Sequence, residues 1–193
     1  HSFPTRRSSD LDDEAIKSMP DGSSHPFFYK GDGNLRFKDV SAEWGTEKMK
    51  GYYTGASYAD LDNDGNLDVI INCIDEPAVI LKNKAPLKMM MNITFKGDSM
   101  NRFGIGAKVW LFAKGKMQYQ QLSLTRGFQS SVEPKLHFGT DSIRNIDSML
   151  IVWPDQKYQW LKNVPAVENI QAVHAQAGGV FDYQKFFPAP VPL

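Results

Sequence analysis

The residues best placed to do chemistry are the acidic run DLDNDGNLD at 60–68, where Asp60, Asp62, Asp64 and Asp68 take positions 1, 3, 5 and 9 and Gly65 takes position 6. Carboxylates on alternate residues of a tight turn converge on one point. That suits a hard cation such as Ca²⁺, which takes about six to eight oxygens at roughly 2.3–2.6 Å. Asn66, at position 7, would add its backbone carbonyl, and Gly65 permits a positive φ at the sharp turn. Crowded carboxylates repel by about 4 kcal/mol per close pair at an effective dielectric of 20, and a divalent ion reverses that sign. Mg²⁺ fits less well because it prefers fewer protein ligands and retained water. The competing reading is a solvated hairpin turn, since Asn-Asp-Gly turns well without a metal. An EF-hand shares the first half of the spacing but needs a bidentate Glu at position 12, which here is Ile71, and flanking helices. GASYA and LDVIINC, on either side of the run, read as strands.

Other reactive residue types point to less. Arg126, Ser130, Ser131, Glu133 and His137 fall close together, yet no G-x-S-x-G elbow frames either serine, and Arg126 near Glu133 reads as a salt bridge. His137 alternates with Leu136 and Phe138, which puts it on the opposite face of a strand, a rim position. Gly104 and Gly106 lack the third glycine of a dinucleotide loop and read as strand-entry or bulge glycines. The histidines at 1, 25, 137 and 174 show no metal spacing. Trp44, Trp110, Trp153, Trp160 and the pair Tyr52-Tyr53 could stack on sugars. Trp110 and Trp153 sit in apolar runs and read as core, whereas Trp160 and the tyrosines, read as a Gly-flanked loop, are the candidates for exposure. Cys73, inside the run VIINCI, reads as a small buried hydrophobe.

The elements that must position these residues are strands. Short runs rich in β-branched and aromatic residues, bounded by Gly, Asp, Asn and Pro, predict strands at 26–30, 35–40, 54–60, 67–73, 78–82, 87–96, 105–113, 117–125, 135–139, 147–153 and 157–161. Helical periodicity is scarce, so the chain is expected to be all-β. FFYKGDGNLRF and AVILKNKAPLK echo one another about fifty residues apart, a spacing seen in propeller blades. After residue 86 come longer strands with Lys and Gln alternating against apolar residues, as in KMQYQQLSLT, which suits a β-sandwich whose sheets each have one wet face. Lys+Arg and Asp+Glu balance at 22 each, so no global field attracts nucleic acid, and the apolar runs are too short to span a bilayer.

The stretch YTGASYADLDNDGNLDVIIN resembles an FG-GAP or VCBS repeat, a propeller-blade unit of integrin α-chain heads and bacterial surface proteins. NRFGIGAKVWLFAKGK at 101–116, TRGFQSSVEPKLHFG at 125–139 and LIVWPDQK at 150–157 resemble the ASPIC/UnbV domain that follows such repeats, and LRFKDVSAEWG is similar to the segment between blades. The resemblance implies that Asp60, Asp62, Asp64, Asn66 and Asp68 form a structural Ca²⁺ loop. It implies partial propeller blades at 12–86, an ASPIC/UnbV β-sandwich at 87–176 and a Pro-rich linker at 177–193. Residues 1–11, HSFPTRRSSDL, resemble the in-frame translation of a sequencing adapter and carry no expected fold. A propeller needs about four to eight blades, so either most of the ring is expected upstream of this chain, the favoured reading, or these strands pack differently. The implied function is a non-catalytic, calcium-binding adhesion module at an extracellular, periplasmic or outer-membrane surface. Its partner would be a protein or carbohydrate, and its parent could associate with a membrane. The alternative is part of an exported enzyme acting on polysaccharide, its active site lying mainly outside this segment.

Overall fold

A computed structural model describes residues 25–74, 76–86, 89–166 and 169–186; the adapter-like start at 1–11 and the prolines at 188, 190 and 192 lie outside them. The protein is all-β: among the described residues 48% lie in strands and 4% in helix, arranged in several small sheets of which none closes into a barrel. No helix among the described residues is long and apolar enough to cross a membrane, which leaves membrane β-barrels aside. Two compact units are present. One holds the described residues up to Ala59, Leu67–Asn83 and Gly127–Ser130; the other holds Asp60–Asn66, Lys84–Arg126 and the described residues from Ser131 onward.

The first unit contains a hairpin of β1 (Tyr29–Gly31) and β2 (Phe37–Asp39), and an antiparallel sheet ordered β3 (Tyr52–Ala59), β4 (Asp68–Ile74) and β5 (Val79–Leu81). A tight turn after β2 is pinned by polar side chains. Asp39 Oδ1 accepts the Ser41 N–H at 2.8 Å, and Ser41 Oγ accepts the Phe28 N–H at 3.0 Å. The register of β3 on β4 slips between Tyr53 and Ala56. Gly55 lies at that slip because a Cβ there would meet Phe128 O and Ser130 Oγ, both at 2.7 Å. Tyr52 and Tyr53 open β3 and are half-buried, so the loop expected for them is instead strand.

The second unit is a sandwich. Its wider sheet runs β11 (Tyr158–Pro165), β10 (Asn145–Val152), β7 (Lys108–Ala113) and β8 (Lys116–Gln121), all antiparallel. The narrower sheet runs β12 (Asn169–Val173), β6 (Met89–Lys96) and β9 (Lys135–Asp141), with β12 parallel to β6 and β9 antiparallel to it. Period-two alternation sends Val109, Leu111, Met149 and Ile151 from one sheet and Met91, Ile93, Leu136 and Phe138 from the other into a shared core. Lys114 (φ 50°) and Gly115 (φ 72°) make the two-residue turn between β7 and β8, both left-handed as a turn of matching twist requires.

The edges of this sandwich are sealed by glutamines. Gln118 and Gln120 pair with Leu111 and Val109 and so face inward. Gln118 Nε2 donates to Gly139 O at 2.9 Å and Gln120 Nε2 to His137 O at 2.6 Å, joining β8 to β9. On the opposite side buried Gln159 of β11 donates through Nε2 to Val173 O of β12 at 3.1 Å and accepts the Trp153 indole N–H at 3.4 Å. The wet face expected for KMQYQQ is therefore reversed: its glutamines bridge inward, and Met117 and Tyr119 point out. That outer face is covered in part by the chain after β12. A 3-10 turn at His174–Gln176 leads to a one-turn helix α1 (Tyr183–Phe186), and Phe181, Tyr183 and Phe186 pack with Trp110, Leu150, Val152 and Phe112 in a second apolar cluster.

Gly104, at φ 61°, faces Phe95 and Trp153, and a Cβ there would lie 2.8 Å from Phe95 Cβ and 2.9 Å from Trp153 Cζ3. Gly104→Ala combines left-handed strain with overpacking, each costing on the order of 1–3 kcal/mol, so urea unfolding should report a loss of about 2–4 kcal/mol. Gln159→Leu strands a buried indole N–H and a strand carbonyl, at roughly 1–3 kcal/mol apiece. It should cost more than Gln118→Leu at the more exposed seam, and an equal loss for the two would contradict the sealing role.

Candidate metal centre

The segment Asp60–Leu67 connects β3 to β4. Two residues within it are left-handed, Asn63 at φ 59° and Gly65 at φ 88°, which coils the chain tightly enough to turn alternate side chains the same way. The Asp60 carboxylate sits at the centre of the coil: Oδ1 accepts the Asp64 N–H at 3.1 Å and Oδ2 the Gly65 N–H at 3.0 Å. Asp64 Oδ1 accepts the Asn66 N–H at 2.9 Å. The loop is anchored by Asn66, whose Nδ2 donates to Ala85 O at 3.3 Å.

Asp60, Asp62 and Asp64 each bring one carboxylate oxygen to within 4.8 Å of the other two. Three oxygens gathered within that limit could share one hard cation, whose bonds to oxygen run roughly 2.3–2.6 Å. The donor set is all oxygen, which fits a hard cation and gives a soft one nothing to prefer. Asp62 is exposed and Asp60 and Asp64 half-buried, leaving room for further oxygens from solvent. Asp68 is 2% exposed at the start of β4, and its Oδ1 accepts the Asn83 N–H at 2.8 Å. That bond fixes the chain leaving β5, a role that spacing alone did not reveal.

The polar residues of the second half are engaged structurally. Glu133 pairs with Lys135 at 2.6 Å, and Arg126 donates through Nη2 to Gln121 O at 3.1 Å, so the salt bridge expected between Arg126 and Glu133 is replaced by these two contacts. Ser131 bridges to Thr125 across an isolated β-pair, and Ser130 Oγ donates to Phe128 O at 2.8 Å. His137 does face opposite to Leu136 and Phe138; its Nδ1 lies 2.8 Å from Asn92 Oδ1. Burial pushes the His137 pKa down, the Lys135 charge adds to that, and Asp60 opposes it.

A cluster that sequence reasoning missed lies at the β10–β11 turn. Asp155 Oδ2 is 3.0 Å from His174 Nε2 and 3.2 Å from Lys157 Nζ, and the His174 ring stands edge-on to Trp153 at 5.0 Å. No local signal links His174 to a residue 19 positions earlier.

Residues 97–179 match the family model described as ASPIC and UnbV. The matched segment begins just after β6 and contains both seams of the sandwich. The chain is also 30% identical over 108 residues to Cartilage acidic protein 1 of Xenopus tropicalis. That similarity takes in 54% of this chain and 16% of the frog protein, so the chain spans a small part of its relative.

At Asp155 burial pushes the carboxyl pKa up, but hydrogen bonds from His174 and from the backbone and side chain of Lys157 outweigh it and hold the pKa below the usual value. A depressed folded pKa gives stability that is present above the unfolded value of about 3.9 and lost as pH falls through the folded one. Asp155→Asn should lower stability at pH 7 and flatten the fall in urea midpoint below about pH 4. An unchanged acid limb would show that other carboxylates govern it.

Proposed function

We infer that this chain is a calcium-stabilised, exported binding module with no catalytic role of its own. The observation that carries this reading is the convergence of Asp60, Asp62 and Asp64 oxygens within 4.8 Å on a strand-to-strand loop coiled by Asn63 and Gly65. Calcium supplies the charge that lets three carboxylates share this space, and the chain's own residues do the rest. Asp60 holds the coil through two backbone N–H groups, and Asp62 and Asp64 close on the ion. Asn66 would add its backbone carbonyl, as proposed from the spacing.

Export is supported by the match to ASPIC and UnbV and by the similarity to a protein whose name places it in cartilage. Calcium is plentiful outside cells, where sites of about 10⁻⁴–10⁻³ M suffice. The strands around the loop, β3, β4 and β5, are read as part of an FG-GAP or VCBS propeller blade, the remaining blades belonging to a longer parent. Recognition of a protein or carbohydrate partner would then fall to surface loops, the metal keeping strands in register. A non-catalytic role agrees with the polar side chains of the second half, where Glu133, Arg126 and His137 are committed to structural contacts.

Calorimetry tests the reading directly. The intact chain should bind about one Ca²⁺, with a melting temperature that rises with calcium and falls back in EDTA, by an amount equivalent to about 2.7 kcal/mol at a hundredfold excess over Kd. Asp62→Ala should weaken binding at least about tenfold, one carboxylate being a large share of the ion's charge partners. Asp68→Asn should lower stability even in EDTA, because its hydrogen bond to Asn83 weakens with or without metal. Absence of any calcium heat with the wild-type chain would defeat the proposal.

A further inference from the structure

The loop between β6 and β7 turns its apolar side chains outward. Met100 is 93% exposed, Phe103 56% and Ile105 40%, and Arg102 among them is exposed as well. Three apolar side chains shown within six residues form a local patch, unlike the single exposed residues that any surface carries. The backbone beneath them is held rigidly. Buried Gly104 seats the loop on Phe95 and Trp153, where a Cβ has no room. The Gly97 N–H donates to the Arg102 carbonyl at 2.9 Å and the Gly104 N–H to the Asn101 carbonyl at 3.0 Å. Asp98 Oδ1 accepts the N–H groups of Met100 and Asn101, both at 2.9 Å. Asn101 Oδ1 accepts the Ile105 N–H at 2.9 Å, and its Nδ2 donates to the Ile105 carbonyl at 2.8 Å.

These bonds discriminate between partners. A protein surface can supply hydrogen bonds to a loop, but the acyl edge of a bilayer cannot, so a loop that enters lipid must satisfy its polar groups internally. Here the N–H groups of Gly97, Met100, Asn101, Gly104 and Ile105, and the carbonyls of Asn101, Arg102 and Ile105, all find partners within the loop. Charge points the same way. Exposed Lys96 at the base and Arg102 near the tip flank the apolar residues, and the loop's one acid, Asp98, is turned to the backbone. Long basic stems lie along a membrane surface with their charged heads among lipid phosphates. We propose that residues 97–105 are a lipid-surface anchor: Met100, Phe103 and Ile105 enter the headgroup and acyl boundary of an anionic bilayer, and Lys96 and Arg102 meet its phosphates. The anchor rests on the sandwich alone and is independent of calcium. A single myristoyl chain binds bilayers at only about 10⁴ M⁻¹, so a three-residue tip is expected to bind in the mM lipid range.

The test floats the full chain with vesicles of phosphatidylcholine and phosphatidylserine at about seven to three, at mM lipid. The wild type should float with them, and less with phosphatidylcholine alone. Met100→Glu, at a position too exposed to disturb the fold, should lower the partition at least about tenfold. Arg102→Gln should weaken binding to the mixed vesicles and leave the weaker binding to phosphatidylcholine unchanged. Methionine methyl NMR in small bicelles of the same lipids, carrying a nitroxide-labelled chain, locates the contact. The Met100 signal should broaden while that of Met117, exposed on β8, stays sharp, and Met91 and Met149 in the core report an intact fold. The proposal is overturned if the wild type does not float, if Met100→Glu floats equally well, or if Met117 broadens as much as Met100. Self-association of the wild type that Met100→Glu abolishes, with no flotation of either, would overturn it too and assign the tip to a second copy.

Discussion

Two sheets of unequal width sharing one apolar interior leave strand edges whose carbonyls still need hydrogen-bond donors, and the sandwich depends on how those edges are satisfied. Leucine at the seams would fill the volume but strand polar groups, and a charged side chain would be costly to bury without a partner. Glutamine meets both demands. Its stem packs with the core and its amide donates across the gap, so Gln118 and Gln120 join β8 to β9 while Gln159 joins β11 to β12. The buried seam carries an extra duty, since Gln159 also accepts the Trp153 indole proton. Edges joined in this way offer few open carbonyls to a second chain.

The acidic loop answers a different constraint. The charge of the whole chain sums to zero, yet three carboxylates share a space 4.8 Å across. Left-handed residues at 63 and 65 and the two N–H groups held by Asp60 shape the coil through the chain's own bonds. A cation placed there would meet ligands already gathered, so little ordering entropy would be charged against its binding. Asp68 shows how one spacing can serve two ends. It completes the pattern in sequence, and in the fold it ties down Asn83 from a position almost closed to solvent.

What the sequence made legible follows from the range of each interaction. The strands of the loop hairpin and the long runs of the second half are visible because side-chain alternation is local. So are the rim position of His137 and the burial of Trp110 and Trp153. β12 was missed because NIQAV is unremarkable in composition and its reason to be a strand is a parallel partner, β6, some seventy-seven positions earlier in register with it. The glutamines of β8 misled because polarity ordinarily marks the solvent face, and only the neighbouring edge strand gives them cause to turn inward. Arg126 and Glu133 misled in the same way: closeness in sequence suggested a pair, while the fold gave each a nearer partner.

The β10–β11 turn binds these parts together. Gln156 at its tip is left-handed, φ 68°, and its carbonyl accepts the Phe181 N–H at 2.8 Å, which starts the covering segment over the outer sheet face. One residue earlier Asp155 holds His174, and at the base Trp153 holds Gln159 and presses on Gly104. Core, seam and cover therefore meet within four consecutive residues. A sheet with two apolar faces needs a third layer, because Trp110, Leu150 and Val152 gain from burial only if something lies over them. The cover is short, a single helical turn, and could not hold its position by backbone bonding alone. Its aromatic side chains and its tie to the turn do that work, so changes at the tip are transmitted to the outer face more directly than to the acidic loop.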